Sequence, residues 1–256
     1  MKIWSVSNQK GGVGKTTTVV TLGSLLSGWG FRTLLVDMDP HGSLTSYFRL
    51  NPDDVQAGVY NLFQDAVARK RPNPKPYLYK TDFEGIALLP AATAIATLDR
   101  QAGTLDGMGL VVANNLAAVG NEFDYVLIDS PPMLGVLMVN ALAACDRLII
   151  PVLSEFLALQ GLERMLRTLQ MIRKSRKSDI RYTILPTLFD RRTREAQESL
   201  RLLREKYPDR VWDAVIPVDT KLRDASRAGI PPAQYAPEAK AVTAYAHFLE
   251  TLLHDG

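Results

Sequence analysis

Apolar residues in this chain come in short uninterrupted runs bounded by turn signals, a pattern that predicts strands buried on both faces. The runs are KIWSVS at 2–7, RTLLVDMD at 32–39, GIALLPA at 85–91, DYVLIDSP at 124–131, DRLIIPV at 146–152, RYTILPTLF at 181–189 and VWDAVIP at 211–217. Helical stretches separate most of them, around 16–29, 106–119, 134–144, 158–176, 193–206 and 238–253. Strands that alternate with helices imply an α/β fold: a mainly parallel central sheet with helices on both faces. Ligands bind such sheets at the carboxyl ends of strands. The chemically suggestive residues stand there: Gln9 to Thr16 follow the first strand, Asp37 and Asp39 end the second, Asp129 ends YVLID, and Pro217 ends the last.

Composition changes this picture little. With 256 residues, 46% hydrophobic and 22% charged, the chain reads as one globular domain spanning 1–256. No apolar run approaches the roughly 20 residues of a membrane-spanning helix, and the N-terminus MKIWSVSNQK lacks the form of a signal peptide. The single cysteine, Cys145 in ALAACDRLIIP, excludes an internal disulfide and fits a buried thiol in a reducing cytoplasm. His41, His247 and His254 are scattered and form no metal-ligand pattern. Charge is more informative in its distribution than in its sum of +3, because 14 of the 30 Lys and Arg but only 7 of the 27 Asp and Glu fall between 160 and 210.

The stretch SVSNQKGGVGKTTT at 5–18 carries the chemistry. Between a strand and a helix, Gly11, Gly12 and Gly14 let the backbone curl so that the loop's N–H groups, that of Val13 among them, face phosphate oxygens, and the helix adds its positive end. Lys15 is placed to bridge β and γ phosphates, and the Thr16 hydroxyl, followed by Thr17, to take a place on Mg²⁺. The loop departs from the general G-x-x-x-x-G-K-[ST] pattern twice: Gln9 stands where the first glycine belongs, and a second cation, Lys10, follows it. Asp129 has the context of a magnesium-holding acid. In LLVDMDPHGS, Asp37 and Asp39 stand two apart on a predicted strand and so share a face directed at the loop. One of them could order the magnesium shell while the other orients a water for in-line attack; the alternative is that both cap the turn at Pro40.

KGGVGKTT at 10–17, DMDPHGS at 37–43, VLIDSPP at 126–132 and the segment 217–245 resemble the deviant Walker-A ATPases of the ParA/MinD group. LPTLFDRRTREAQE and IPVDTKLRDASRAGIPPAQYAPEAKAVTAY favour its ParA partition branch. The resemblance implies an ATPase that uses ATP and Mg²⁺, hydrolyses slowly without a stimulatory partner of the ParB type or a cargo adaptor, and forms a homodimer on binding ATP. Lys10 would cross the dimer interface to the other subunit's nucleotide, so that supplying a cation in trans makes dimerisation depend on ATP. By the same resemblance Asp39 positions the attacking water, Asp129 is the Walker-B acid, and Pro217 with Asp219 borders the adenine. Val218 and Asp219 stand where the family usually has Arg and Asn, and His41 replaces the usual Gln.

ParA dimers bind DNA without sequence preference, and the basic excess at 160–210 suits phosphate contacts. Arg192 in DRRTR matches the family's DNA-contacting arginine, with Arg191 and Arg194 beside it, while Arg173, Lys174, Arg176 and Lys177 close a helix. The plain alternative for that cluster is complementing a helix dipole. Lys221 and Arg223 are candidates to replace the cation missing at Val218. The rival reading is a MinD-like, membrane-recruited spatial regulator; against it, the terminal TAYAHFLETLLHDG has helical apolar spacing without Lys or Arg, as expected of a helix packed on the sheet. A ligase or synthetase on the same scaffold is the third reading. With the first strand starting at Lys2, no helix-turn-helix precedes it, so an operator reader is not expected; the expected place is the cytoplasm, on the nucleoid.

Overall fold

The computed structural model describes residues 1–98, 108–155, 158–175 and 180–255, without the side chains of 173–175. Its centre is a seven-stranded sheet formed by β1 (Lys2–Val6), β2 (Thr33–Asp37), β3 (Tyr79–Lys80), β4 (Ile86–Leu89), β5 (Tyr125–Asp129), β6 (Arg147–Leu153) and β7 (Arg181–Thr187), in the order β3-β4-β2-β5-β1-β6-β7. All neighbours run parallel except β3 and β4. Register places Asp129 opposite Val6 on one side and Asp37 on the other, so the first loop leaves β1 directly beside the two acidic strand ends.

Alternate residues of the strands feed opposite layers. Trp4, Val6, Leu35 and Leu127 pack on α1 (Lys15–Gly28) and on the last helix, Lys240–His254. Leu34, Val36, Val126 and Ile128 meet the helices on the other face, which include Val59–Val67, Val111–Ala117 and Val136–Ala144. Numbered in chain order, the helices after α1 are α2 (Ser43–Tyr47), α3 (Val59–Val67), α4 (Val111–Ala117), α5 (Val136–Ala144), α6 (Ala158–Ser175), α7 (Arg194–Lys206), α8 (Thr220–Ala228), α9 (Pro232–Tyr235) and α10 (Lys240–His254). α1 lies close against the sheet: a Cβ on Gly23 would come within 2.7 Å of Leu35 Cδ2. The apolar face of α10, with Tyr245, Phe248, Leu249 and Leu252 buried, is consumed by this packing, as its spacing predicts.

The strand predicted at 211–217 does not form. Trp212 N donates to Ile184 O and Ile216 N to Pro186 O, so four residues on one side span only two on the other, and the excess leaves isolated bridges at Val211 and Pro217. Pro217 therefore ends no strand. The seventh strand is instead β3, a two-residue antiparallel edge at Tyr79–Lys80 that the apolar pattern does not predict. The helix predicted over 106–119 begins, among the described residues, as a 3₁₀ turn at Met108–Leu110 before α4. Helices α2, α3, α8 and α9 have no counterpart in the periodicity reading.

Candidate functional site

The loop between β1 and α1 turns on two glycines in the left-handed region, Gly12 at φ 72° and Gly14 at φ 87°, where a side chain would be strained. Gly14 sits directly ahead of Lys15, the first residue of α1. Between the glycines Val13 is fully buried, and its carbonyl accepts a hydrogen bond from Thr187 Oγ1 at 2.9 Å, which pins the loop to the end of β7. Lys15 is buried, with Nζ 3.4 Å from the Lys10 carbonyl. Burial lowers its pKa, while Asp129 and Asp39 act to raise it. An ammonium so placed is short of solvation and suited to an anionic ligand.

Thr16 Oγ1 donates to Asp129 Oδ2 at 2.6 Å. The other oxygen, Oδ1, is buried with no hydrogen-bond partner. Burial, with Asp37 next in register, holds the Asp129 pKa well above the ordinary carboxylate range, against the pull of Thr16 and Lys15. A hydroxyl beside an orphaned carboxylate oxygen is the donor chemistry that Mg²⁺ takes, with one or two carboxylates supplemented by phosphate and water. Among the described residues no group of three His, Cys, Asp or Glu could hold a metal; the donors present, the Thr16 hydroxyl and the Asp129 carboxylate, suit a metal shared with a phosphate ligand.

The two carboxylates of DMD divide their work. Because β2 ends at Asp37, strand alternation does not reach Asp39. Asp37 turns inward: Oδ2 accepts from the Thr45 backbone N at 2.8 Å and Thr45 Oγ1 at 2.7 Å, and Oδ1 accepts from Asp39 N at 3.1 Å. Burial pushes its pKa up to about 6. It caps the turn into α2 and does not line the cleft. Asp39 does line it, with Oδ1 accepting from His41 N at 3.0 Å and lying 2.9 Å from His41 Nδ1.

The cleft has a volume of about 760 Å³. Gly11, Gly12, Gly14, Lys15, Thr16 and Thr17 form its floor, Asp39 and His41 one side, and Val218 and Asp219 with Leu222, Arg223 and Arg227 of α8 the facing wall. Pro217 is not on this lining; it bridges to Phe189. Asp219 caps α8, its Oδ1 accepting from Lys221 N at 3.0 Å and its Oδ2 from Ala241 N at 3.1 Å. Lys10 also lies outside the lining: Nζ pairs with Glu155 at 2.9 Å.

Thr187, Leu188 and Tyr245 also line the cleft, and the sequence reading names none of them as a site residue. The rule of strand ends could have found Leu188, which follows β7 and holds φ 51°, an outlier for a bulky residue that sits at a ligand cleft. Arg223, a candidate for the DNA surface, is exposed and also lines the cleft, with Arg227 one helical turn on. Arg192 is on the surface, 84% exposed, its Nε and Nη2 bonded to the two oxygens of Asp190 at 2.9 and 2.7 Å. That partner holds the Asp190 pKa down at about 2. Arg191, Arg194 and Lys221 are exposed. Arg173 and Lys174 close α6, but their side chains, and Arg176 and Lys177 altogether, lie outside the described residues. No helix among the described residues is long and apolar enough to cross a membrane.

A family model described as an AAA domain matches residues 1–182. The chain is 33% identical over 256 residues, 100% of itself and 99% of the relative, to the sporulation initiation inhibitor protein Soj of Bacillus subtilis. It is 36% identical over 250 residues, 97% of itself and 94% of the relative, to the chromosome-partitioning ATPase Soj of Thermus thermophilus. Among solved structures, a cobyrinic acid a,c-diamide synthase from Mycobacterium smegmatis with bound ATP analogue and magnesium superposes with TM-score 0.84 at 33% identity, covering 99% of this chain and 94% of that one. A Cyanothece McdA–ATP complex superposes with TM-score 0.87 over 99% of this chain and 96% of that one; at 21% identity this likeness speaks for the fold.

Proposed function

The chain belongs to the ParA-like branch of the ParA/MinD superfamily of deviant Walker-A ATPases, with ATP and Mg²⁺ as its ligands, and from that premise we propose that it is an ATP-dependent dimerising switch that binds DNA non-specifically and positions a cargo. The cargo is a plasmid, a chromosome or a protein array, and a partner protein stimulates hydrolysis to release the dimer from DNA. We take residues 1–256 to act as one domain. The observation that carries the reading is the position of Lys10. Gly11 lines the cleft and Lys10, one residue earlier, does not; its ammonium is bound to Glu155, clear of the phosphate floor. A cation so close to a phosphate site yet directed away from it is suited to serve the site of a second copy.

Within one subunit the loop amides and Lys15 hold the triphosphate, and Thr16 and Asp129 are the residues that would hold Mg²⁺. Bound there, the metal would supply neutralisation of the phosphate charge. Asp39, fixed by His41, orients a water for in-line attack on the γ phosphate, and Asp37 keeps the turn that presents Asp39 in place.

The test is self-association with and without ATP, alongside co-sedimentation with mixed-sequence DNA at low salt. Lys10→Ala is expected to bind ATP as a single subunit yet fail to dimerise, whereas Lys15→Ala loses ATP itself. A Lys10→Ala protein that still dimerises with ATP overturns the assignment. ATP-dependent binding to anionic liposomes and not to DNA favours the MinD-like reading instead. Rapid turnover that requires a small acceptor favours the synthetase reading, which the 33% identity to the diamide synthase motivates. The identity of neighbouring genes would point to the cargo.

A further inference from the structure

The residue that replaces the loop's first glycine has a partner of its own. Gln9 Nε2 donates to Thr168 Oγ1 at 2.7 Å, and Thr168, in the middle of α6, is only 2% exposed. Seven residues earlier on the same face of α6, Gly161 lets the loop come close: a Cβ there would stand 3.4 Å from Lys10 Cβ and 3.6 Å from Asn8 Oδ1. Asn8 is itself buried between the two elements, its Nδ2 donating to the Pro151 carbonyl of β6 at 2.7 Å and its Oδ1 accepting from Lys10 N at 3.1 Å. With Glu155 holding the ammonium, Lys10 is referenced to the β6–α6 unit at its backbone, its Cβ and its tip.

A glycine at position 9 would leave this side-chain bond unmade, and the start of the loop would meet α6 only at the close approach over Gly161. We propose that Thr168, through its hydrogen bond to Gln9, is a positioning residue for Lys10, keeping that lysine directed out of its own cleft and toward a second subunit. This rests on the reading of Lys10 as a residue that completes the site of another copy. It gives the missing glycine a purpose: the loop exchanges backbone freedom at position 9 for a rigid anchor on α6. It also makes α6 the element whose displacement would move Lys10, since Gly161 and Thr168 both touch the start of the loop.

The experiment measures the rate at which an amine-specific reagent labels Lys10 in the nucleotide-free full-length protein, read by mass spectrometry, beside ATP-dependent self-association. Thr168→Val, which keeps the shape and removes the hydroxyl, is expected to raise Lys10 labelling about fivefold, the population change that the net worth of one hydrogen bond produces. Gln9→Leu should do the same, the double variant no more than either single one, and Thr168→Ser should restore the original rate. Self-association in ATP should weaken by a similar factor in Thr168→Val while nucleotide affinity of the single subunit stays unchanged. Unchanged labelling in both single variants, or Thr168→Ser behaving like Thr168→Val, overturns the proposal. A wild-type protein that never self-associates in ATP counts against the dimer reading alone, because the labelling arm needs no dimer.

Discussion

Thr16 Oγ1 and Asp129 Oδ2 lie 2.6 Å apart, joining the first turn of α1 to the end of β5 across the mouth of the sheet. The contact satisfies one oxygen of a fully buried carboxylate and leaves the other bare. Isolated burial of that kind is unfavourable, and it persists where a ligand completes it. That bare oxygen, with Asp37 beside it in register and Lys15 near enough to affect its pKa, is what the Mg²⁺ role proposed for Asp129 requires.

Asp129→Asn and Thr16→Ala should therefore abolish the contribution of Mg²⁺ to nucleotide binding. In titrations with and without chelator, wild-type affinity for ATP is expected to rise at least about tenfold with magnesium, the scale that loss of metal-site groups commonly removes, and the variants to show no rise. Retention of the full magnesium effect in Asp129→Asn would exclude that residue from the metal site.

The carboxylates of DMD should separate in behaviour. Asp37→Ala strips the acceptor from the Thr45 N–H, the Thr45 hydroxyl and the Asp39 N–H, and is expected to cost about 1–3 kcal/mol in urea unfolding for each buried group left unpaired. Asp39→Ala should unfold near the wild-type midpoint and instead lose ATP hydrolysis, trapping the ATP-bound dimer. A stable Asp37→Ala protein, or a monomeric Asp39→Ala protein in ATP, contradicts this division.

Much of this site was legible before the fold was known, and the limits of legibility have physical causes. Strand ends announced Asp129 and the loop because a parallel sheet collects its ligand at one edge. Spacing alone left Asp37 ambiguous, since its role depends on Thr45, eight residues away, donating from the turn into α2. The segment 211–217 has the apolar content of a strand, and only its pairing against β7, with surplus residues between Trp212 and Ile216, prevents one. Gln9 looked like a missing glycine because its partner lies 159 residues further along the chain.

Stability in the absence of nucleotide and magnesium should fall as pH rises. Burial raises the Asp37 pKa from 3.8 to about 6, and that of Asp129 moves the same way, so both groups bind protons more tightly in the folded chain. Stability from such groups is fully present below the unfolded value and is lost as pH climbs through the folded one. Between pH 5 and 6 the Asp37 share amounts to about 1 kcal/mol per pH unit. Chemical denaturation at pH 5, 6 and 7 checks it; a stability that rises over this range, or a slope unchanged in Asp129→Asn, would count against the buried pair.

The surface arginine carries its own neutraliser, and this sets the sign of the last prediction. Arg192 is locked in a two-point pair with Asp190, and the backbone N–H of Arg192 donates to the same carboxylate at 3.0 Å. An exposed pair of this kind adds little to stability, so its substitution reads mainly on binding. If Arg192 contacts phosphate, Asp190 competes with the DNA for the guanidinium, and Asp190→Asn should strengthen ATP-dependent binding to mixed-sequence DNA. Arg192→Ala should weaken it and reduce the slope of log affinity against log salt by about one. The double variant should match Arg192→Ala, because the carboxylate acts only through its partner. Asp190→Asn binding with wild-type affinity, together with an unchanged salt slope in Arg192→Ala, would move the DNA surface away from this turn and toward Arg191, Arg194 or Lys221.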